Sequence, residues 1–352
     1  MITDSHIHVV GPDTGTNPRE STSPENVDTR EASINTLAGV HLIPKGALAL
    51  DGWLEFNRIK WGYEPRRFQI GSWSENKPVI DATYYVDKKG NIHHPRRNPY
   101  LPIGFRSTPT THPGKVTHQW LDHATLLVQE MLQHGLVNTM TLPPGILDIR
   151  PWTWAGFQVS VKYTYIIDFP FDFANTSKEF RRKIRRCESL GYRVERTTDM
   201  NLIHGCLAAS EARQHYDLGL SAEDLELARK LIGDEHLQAY AAFAPNGDIA
   251  AASVSLVQPG TAAIGLFAGT HDAHLASGVT TLLDAKSIQD FETSGATGFD
   301  LCGANMPTIA AFKSSWGARL VPYYSVEEYS MRRFAKWSRN WWQFRMQRAK
   351  GG

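Results

Sequence analysis

The chain has 352 residues, 41% hydrophobic and 21% charged, the composition of a soluble globular protein with apolar material for two ordinary domains or one large one. Lys and Arg number 37 against 36 Asp and Glu, a formal net charge of +1, so no global field draws the chain to nucleic acid or membrane and any such attraction is local. The three cysteines, Cys187, Cys206 and Cys302, show no metal-ligand or redox spacing, which fits a reducing cytoplasm.

The first motif is Asp4-Ser5-His6-Ile7-His8. Histidines at i and i+2 of a strand share a face and can offer two imidazoles to a divalent cation. The pattern resembles the first strand of the metal-dependent amidohydrolases, but their (β/α)8 barrel needs further ligands at successive strand ends, and nothing later in the chain supplies them in order. The plainer reading is the polar face of a short strand within an N-terminal arm, residues 1–44, whose stretch from Pro12 to Asn35 is rich in Thr, Ser, Asn, Pro and Glu. The first twenty residues lack a basic start followed by an apolar run, so no secretory leader is expected. Gln258-Pro259-Gly260 interrupts the most apolar window, from Ile249 to Ala268, so no membrane span and a cytoplasmic location are expected.

Val79 to Val86 reads as a strand running into the turn Asp87-Lys88-Lys89-Gly90-Asn91, with a second strand near Leu101 to Phe105. An amphipathic helix spans Thr117 to His134, with Trp120, Leu121, Ala124, Leu127, Val128, Met131 and Leu132 on one stripe. Gly135 ends it, and strands follow at Val137 to Leu142 and Phe157 to Phe169. A basic helix begins near Lys178, with Phe180, Ile184 and Cys187 inward. Asn246-Gly247 then sets a hairpin between Leu237–Phe243 and Ile249–Val257. A strand from Ala262 to Ala268, a helix from about Gly278 to Gly295 and a strand from Gly298 to Cys302 come next. A short helix from Pro307 to Ser315 and a strand from Arg319 to Tyr324 complete the pattern.

The second half repeats the plan of the first. Gly90 matches Gly247, Gly104 matches Gly265, Gly135 matches Gly295 and Gly156 matches Gly317, at offsets of 157, 161, 160 and 161 residues, the mark of a duplicated unit of about 160 residues. The expected architecture is α/β with mixed sheets, in two tandem domains at 45–168 and 169–324, and a C-terminal helix, 325–352, packing on the first.

Three stretches carry a resemblance. They are Trp152-Thr153-Trp154-Ala155-Gly156-Phe157 with Tyr163 to Asp168, the basic run Thr176 to Arg186, and Phe299-Asp300-Leu301-Cys302-Gly303-Ala304-Asn305 with Ala311-Phe312-Lys313-Ser314-Ser315-Trp316-Gly317. Together they resemble the tandem GNAT-fold acyltransferases of the Fem type, which build amide bonds from aminoacyl-tRNA, over roughly residues 45 to 330. The resemblance implies two GNAT-like domains related by duplication, with Phe312 and Lys313 at the acyl-bearing end of the donor. A fixed ammonium there would stabilise the tetrahedral oxyanion of acyl transfer more than the ground state. Arg213, with Tyr216 beside it, is implied to contact the acceptor. Asp300 and Asn305 at a strand end would orient the acceptor amine or cap the next helix.

Two donors fit a transferase of this kind. An acyl-CoA pyrophosphate would sit at the helix start Ser277-Gly278-Val279-Thr280, where Leu275 and Thr280 occupy positions that the phosphate-cradling pattern gives to Arg or Gln and to Gly or Ala. An aminoacyl-tRNA would use local basic surfaces. Residues 178–196 hold eight Lys and Arg against three Glu, Arg182 and Arg186 among them, and residues 331–352 hold seven with no acid, interleaved with aromatics. The expectation is a cytoplasmic N-acyltransferase that passes an aminoacyl group from aminoacyl-tRNA to a small or nucleotide-linked amine by direct attack, with acyl-CoA as the alternative donor. No metal and no bound cofactor are expected, the donor being a co-substrate. A non-catalytic binding protein on a degenerate transferase fold is a further reading.

Overall fold

The computed structural model describes residues 39–328 apart from Ser74 and Asn138. The histidine motif, most of the expected N-terminal arm and most of the expected C-terminal helix lie outside the described residues.

The first half runs β1 (Leu42–Ile43), α1 (Asp51–Trp61), β2 (Glu64–Ile70), β3 (Val79–Val86), β4 (Ile92–His93), β5 (Ile103–Arg106), α2 (Pro113–Met131), β6 (Met140–Thr141), α3 (Arg150–Trp154) and β7 (Gln158–Asp168). Next come α4 (Lys178–Ser189), β8 (Arg193–Arg196), α5 (Met200–Gln214) and α6 (Ala222–Ile232). The second half continues with β9 (Leu237–Phe243), β10 (Ile249–Leu256), β11 (Ala262–Thr270), α7 (Val279–Thr293), β12 (Gly298–Asp300), α8 (Pro307–Ser314) and β13 (Arg319–Glu327).

The four glycine pairs fall at matching places. Gly90 and Gly247, at φ 82° and 89°, turn the hairpins β3–β4 and β9–β10; Gly156 and Gly317, at φ 87° and 72°, precede β7 and β13. Gly104 and Gly265 lie within β5 and β11, and Gly135 and Gly295 follow α2 and α7. The duplicated mixed α/β plan is therefore present in the fold.

The halves interlock through their last strands. One sheet runs β6-β13-β7-β12-β11-β10-β9-β8, so each long terminal strand pairs with the penultimate strand of the other half, β13 with β6 and β7 with β12. Between them β7 and β13 form an antiparallel ladder of nine pairs, from Arg319↔Ile166 to Glu327↔Gln158. The division expected at 168/169 thus falls where β7 leaves a sheet that both halves build. The other sheet, β1-β5-β3-β2 with β4 on β3, belongs to the first half. Mixed antiparallel sheets are not the barrel that an amidohydrolase requires.

Some boundaries differ from those expected. α2 starts at Pro113, where a proline at the first helical positions loses no hydrogen bond, and ends at Met131. The strand expected from Val137 to Leu142 contracts to Met140–Thr141, the pair opposite Val326 and Ser325 of β13. β2 is unexpected from sequence because Glu64-Pro65-Arg66-Arg67 gives little strand propensity; it forms as an edge by pairing with β3 along Glu64↔Val86 to Ile70↔Ile80.

Helix α5 packs on β11 with no side chain between: a Cβ on Gly269 would stand 2.2 Å from the Cys206 carbonyl oxygen. Gly269→Ala is expected to cost about 3 kcal/mol of stability by forcing α5 off the sheet. Urea denaturation of the variant checks this.

Candidate functional site

The crevice begins where β11 and β12 part. They pair in parallel only from Ala262↔Gly298 to Ile264↔Asp300, after which β11 runs on to Thr270 while the chain after Asp300 turns away. The register of β10 against β11 passes from Val254↔Phe267 to Ser255↔Gly265, leaving Leu266 as an extra residue that bends β11 at this point.

The departing segment is bound to β7 of the first half. Leu301 N donates to the Tyr165 carbonyl at 3.0 Å, and Ala304 N donates to the Tyr163 carbonyl at 2.7 Å. Asn305 Oδ1 accepts from Tyr163 N at 3.0 Å, and its amide donates to Tyr323 Oη at 3.1 Å. Cys302, at φ 51°, takes the left-handed conformation that side chains seldom adopt.

Asp300, 4% exposed, lies at the base of this loop. Its carboxylate accepts from Tyr100 Oη at 2.9 Å, Thr164 Oγ1 at 2.6 Å and Cys302 N at 2.8 Å. Burial pushes this carboxyl up while those three donors oppose the rise. Neither acid nor amide caps α8, whose N-cap residue, Met306, makes no side-chain cap bond. Both are instead tied into the loop, which corrects the capping expectation and leaves their side-chain oxygens engaged within the protein.

Lys313 reaches back from α8 to the same loop. Its ammonium donates to the carbonyls of Leu301 at 2.6 Å and Gly303 at 2.7 Å, and also to that of Cys302. An ammonium has three protons, so all are engaged by three successive carbonyls. Burial lowers the Lys313 pKa, and Cys302, Asp300 and Asp284 work against that shift. Phe312 sits in an aromatic cluster, its ring 5.0 Å from Phe180 of α4, which in turn lies 5.3 Å from Trp316. The sequence places Lys313 at the crevice; the structure adds that it holds the loop together.

The other expected residues form separate groups. Arg213 donates to the Thr270 carbonyl at 2.9 Å and to Ser210 Oγ at 3.0 Å, and pairs with Asp272, so it joins α5 to the end of β11. Tyr216 stands half-exposed just past α5. Among the described residues no hydrogen bond or ion pair joins Arg213 or Tyr216 to Lys313.

Ser277 and Gly278 lie against the basic helix α4. Ser277 Oγ accepts from Val279 N at 3.1 Å, its carbonyl accepts from Cys187 Sγ at 3.0 Å, and Gly278, at φ 87°, leaves its α-carbon against the Lys183 stem, where a Cβ would approach to 3.1 Å. Arg182 and Arg186 occupy the exposed face of α4, whose buried face carries Phe180 and Cys187. The helix start and the basic face thus belong to one surface.

Sequence reading missed Tyr100 and Thr164, which lie 200 and 136 residues from Asp300 in the chain and meet it only through the interlocked sheet. It also missed Asp284. This acid lies between Leu283 and Ala285 on an apolar helix, a signal that was available. Burial pushes its carboxyl up to about 7, against the pull of the Lys313 ammonium and the Trp316 indole N–H. Burial also raises the thiols of Cys187 and Cys302 and takes Cys206 to about 12, so none is a ready thiolate. Among the described residues no group of three His, Cys, Asp or Glu could hold a metal ion, and no helix is long and apolar enough to cross a membrane.

The same order of elements repeated in two halves, with the sheet of the second half parting between β11 and β12 beside the start of α7, defines a tandem GNAT fold. Residues 174–314 match the family model described as an acetyltransferase (GNAT) domain, so the second half carries the acyltransferase domain. The structure is similar to the crystal structure of FemX, with a TM-score of 0.57 and 12% identity over 79% of this chain and 91% of that one. It is also similar to L-PGS from Bacillus licheniformis, with a TM-score of 0.49 and 14% identity over 80% of this chain and 88% of that one. No curated protein matches the sequence.

With a folded-state pKa of about 7 against 3.8 for a free carboxyl, Asp284 is neutral in the folded protein over a range where the unfolded chain is ionised. Its contribution to stability is complete below about pH 4 and is lost as pH rises through 7. Asp284→Asn should therefore raise the melting temperature, relative to wild type, more at pH 8 than at pH 5. A difference independent of pH would contradict the burial of this carboxyl.

Proposed function

We propose that the protein transfers an aminoacyl group from aminoacyl-tRNA to the amine of a small or nucleotide-linked acceptor. The nitrogen attacks the ester carbonyl, the new C–N bond forms as the C–O bond to the ribose breaks, and one amine proton ends on the released hydroxyl. No covalent enzyme intermediate is used, in keeping with the three raised thiols. The observation that carries the reading is the Lys313 ammonium fixed on the Leu301–Gly303 carbonyls where β11 and β12 part. A half-buried cation at that position favours an oxyanion developing beside it, provided one carbonyl contact yields to the reacting oxygen.

The basic face of α4 beside the start of α7 favours a nucleic-acid donor. Arg182, Arg185 and Arg186 are exposed, and phosphate contacts of this kind position a strand without reading its sequence. The acyl-CoA alternative draws on the same start of α7. Ser277 Oγ already serves one amide of that turn and the Lys183 stem closes over Gly278, which leaves less room for a pyrophosphate.

Transfer to a pool of amines, supplied with charged tRNA or with acyl-CoA and repeated after RNase, separates the donors. Activity with acyl-CoA that survives RNase would overturn the tRNA reading. Lys313→Met is expected to lower kcat about a hundredfold while the protein stays folded by circular dichroism. Replacing Arg182 and Arg186 with Gln should weaken tRNA binding and flatten the slope of log K against log salt by about 1 for each arginine removed, as read by filter binding.

A further inference from the structure

Helix α7 turns one polar stripe toward the crevice. Thr280 Oγ1 lies 2.9 Å from Thr270 Oγ1, at the end of β11 beyond the point where β12 leaves, and Asp284 follows one turn later on the same side of the helix. Val279, Leu283 and Ile288 of the same helix are fully buried in the core, whereas Thr280 and Asp284 are each partly open to solvent. Across the gap stands α8, with the Lys313 ammonium close enough to pull on the Asp284 carboxyl.

No group of the described residues answers this acid. Lys313 has its three protons on the carbonyls of Leu301, Cys302 and Gly303, so it is a neighbour of Asp284 by charge and not a partner by contact. The fully buried Trp316 lies toward the carboxyl, yet its indole N–H makes no hydrogen bond among the described residues. Neither Asp284 oxygen has a hydrogen-bond partner there, and neither is sealed off from the surface as the unpaired buried atoms of Trp316 and Thr176 are. A poorly hydrated acid without a partner costs the fold stability at neutral pH. Its place in a crevice points to a ligand that supplies the partner.

That partner is a cation whose other end lies at Lys313. A metal ion would find no group of three ligands here among the described residues. An α-aminoacyl group meets both demands, because its carbonyl oxygen develops negative charge toward Lys313 while its ammonium, on the adjacent carbon, is free to reach a carboxylate. We propose that Asp284 binds the α-ammonium of the aminoacyl donor. The assignment rests on the aminoacyl-transfer reading and adds what the crevice reads in the acyl group, which is a free α-amine. Asp284 gives its proton to solvent as the ammonium docks, and a charge-assisted hydrogen bond forms in its place. An acetyl group, or an aminoacyl group blocked on nitrogen, leaves the carboxyl unanswered.

The test uses bulk tRNA charged with a mixture of radiolabelled amino acids, and the same charged tRNA acetylated on the α-amine, each supplied to the full chain with a pool of amine acceptors. Wild type should prefer the free-amine donor by about a hundredfold in kcat/KM, the effect of one charge-assisted contact. Asp284→Asn keeps the shape of the side chain without its charge, and should bring that preference below about fivefold while the blocked donor is transferred at least as well as by wild type. Thermal melts at pH 8 check that the variant is folded. Equal slowing of both donors by Asp284→Asn is what a merely structural role produces, and would overturn the assignment, as would an unchanged preference. Transfer from neither donor by wild type would instead defeat the aminoacyl-tRNA reading, and the assignment with it.

Discussion

The exchange of terminal strands between the two halves is the constraint on which the rest depends. A strand must satisfy its backbone groups on both edges when it lies inside a sheet, and β7 and β13 do so with each other on one side and with the opposite half on the other. Neither half could keep this arrangement alone, because removing either strand exposes two edges. The nine-pair ladder also fixes the position of Thr164, the backbone of Tyr163 and Tyr165, and hence the loop that follows Asp300.

That loop is held by two opposite devices. Below it, the buried Asp300 carboxylate gathers a tyrosine from the first half, a threonine from β7 and a backbone amide. Beside it, the Lys313 ammonium gathers three carbonyls in succession. Charge-assisted hydrogen bonds in a poorly solvated place are strong and directional, so the loop keeps a shape, including the left-handed Cys302, that its sequence alone would not prefer. Lys313 is thereby at once a candidate for stabilising a developing oxyanion and a clamp on the backbone beside it. An aminoacyl-transfer reading and the loop's stability draw on the same charge.

Much of the fold was legible. The hairpin at Asn246-Gly247, the strand β11, helix α7 and strands β7 and β13 were expected within a few residues, because tight turns, helix-ending glycines and apolar periodicity are local signals. The edge strand β2 was not, since its charged residues form a strand only when β3 offers a ladder. For the site, Lys313, Asp300 and Asn305 were picked out and are found around one loop. Arg213 and Tyr216 were picked out too and stand apart from it, with the Arg213 guanidinium engaged in joining α5 to β11.

By itself the sequence determined the repeated plan, through glycines at near-constant offsets, and the residue types concentrated in the strand-helix segment from Phe299 to Gly317. These follow from local backbone conformation and from patterns that span a few residues. Tertiary structure alone decided that the last strands change places, that Tyr100 meets Asp300 across 200 residues, and that Lys313 is satisfied by three carbonyls. Those are pairings between distant segments, whose closure a chain settles only when its whole core packs.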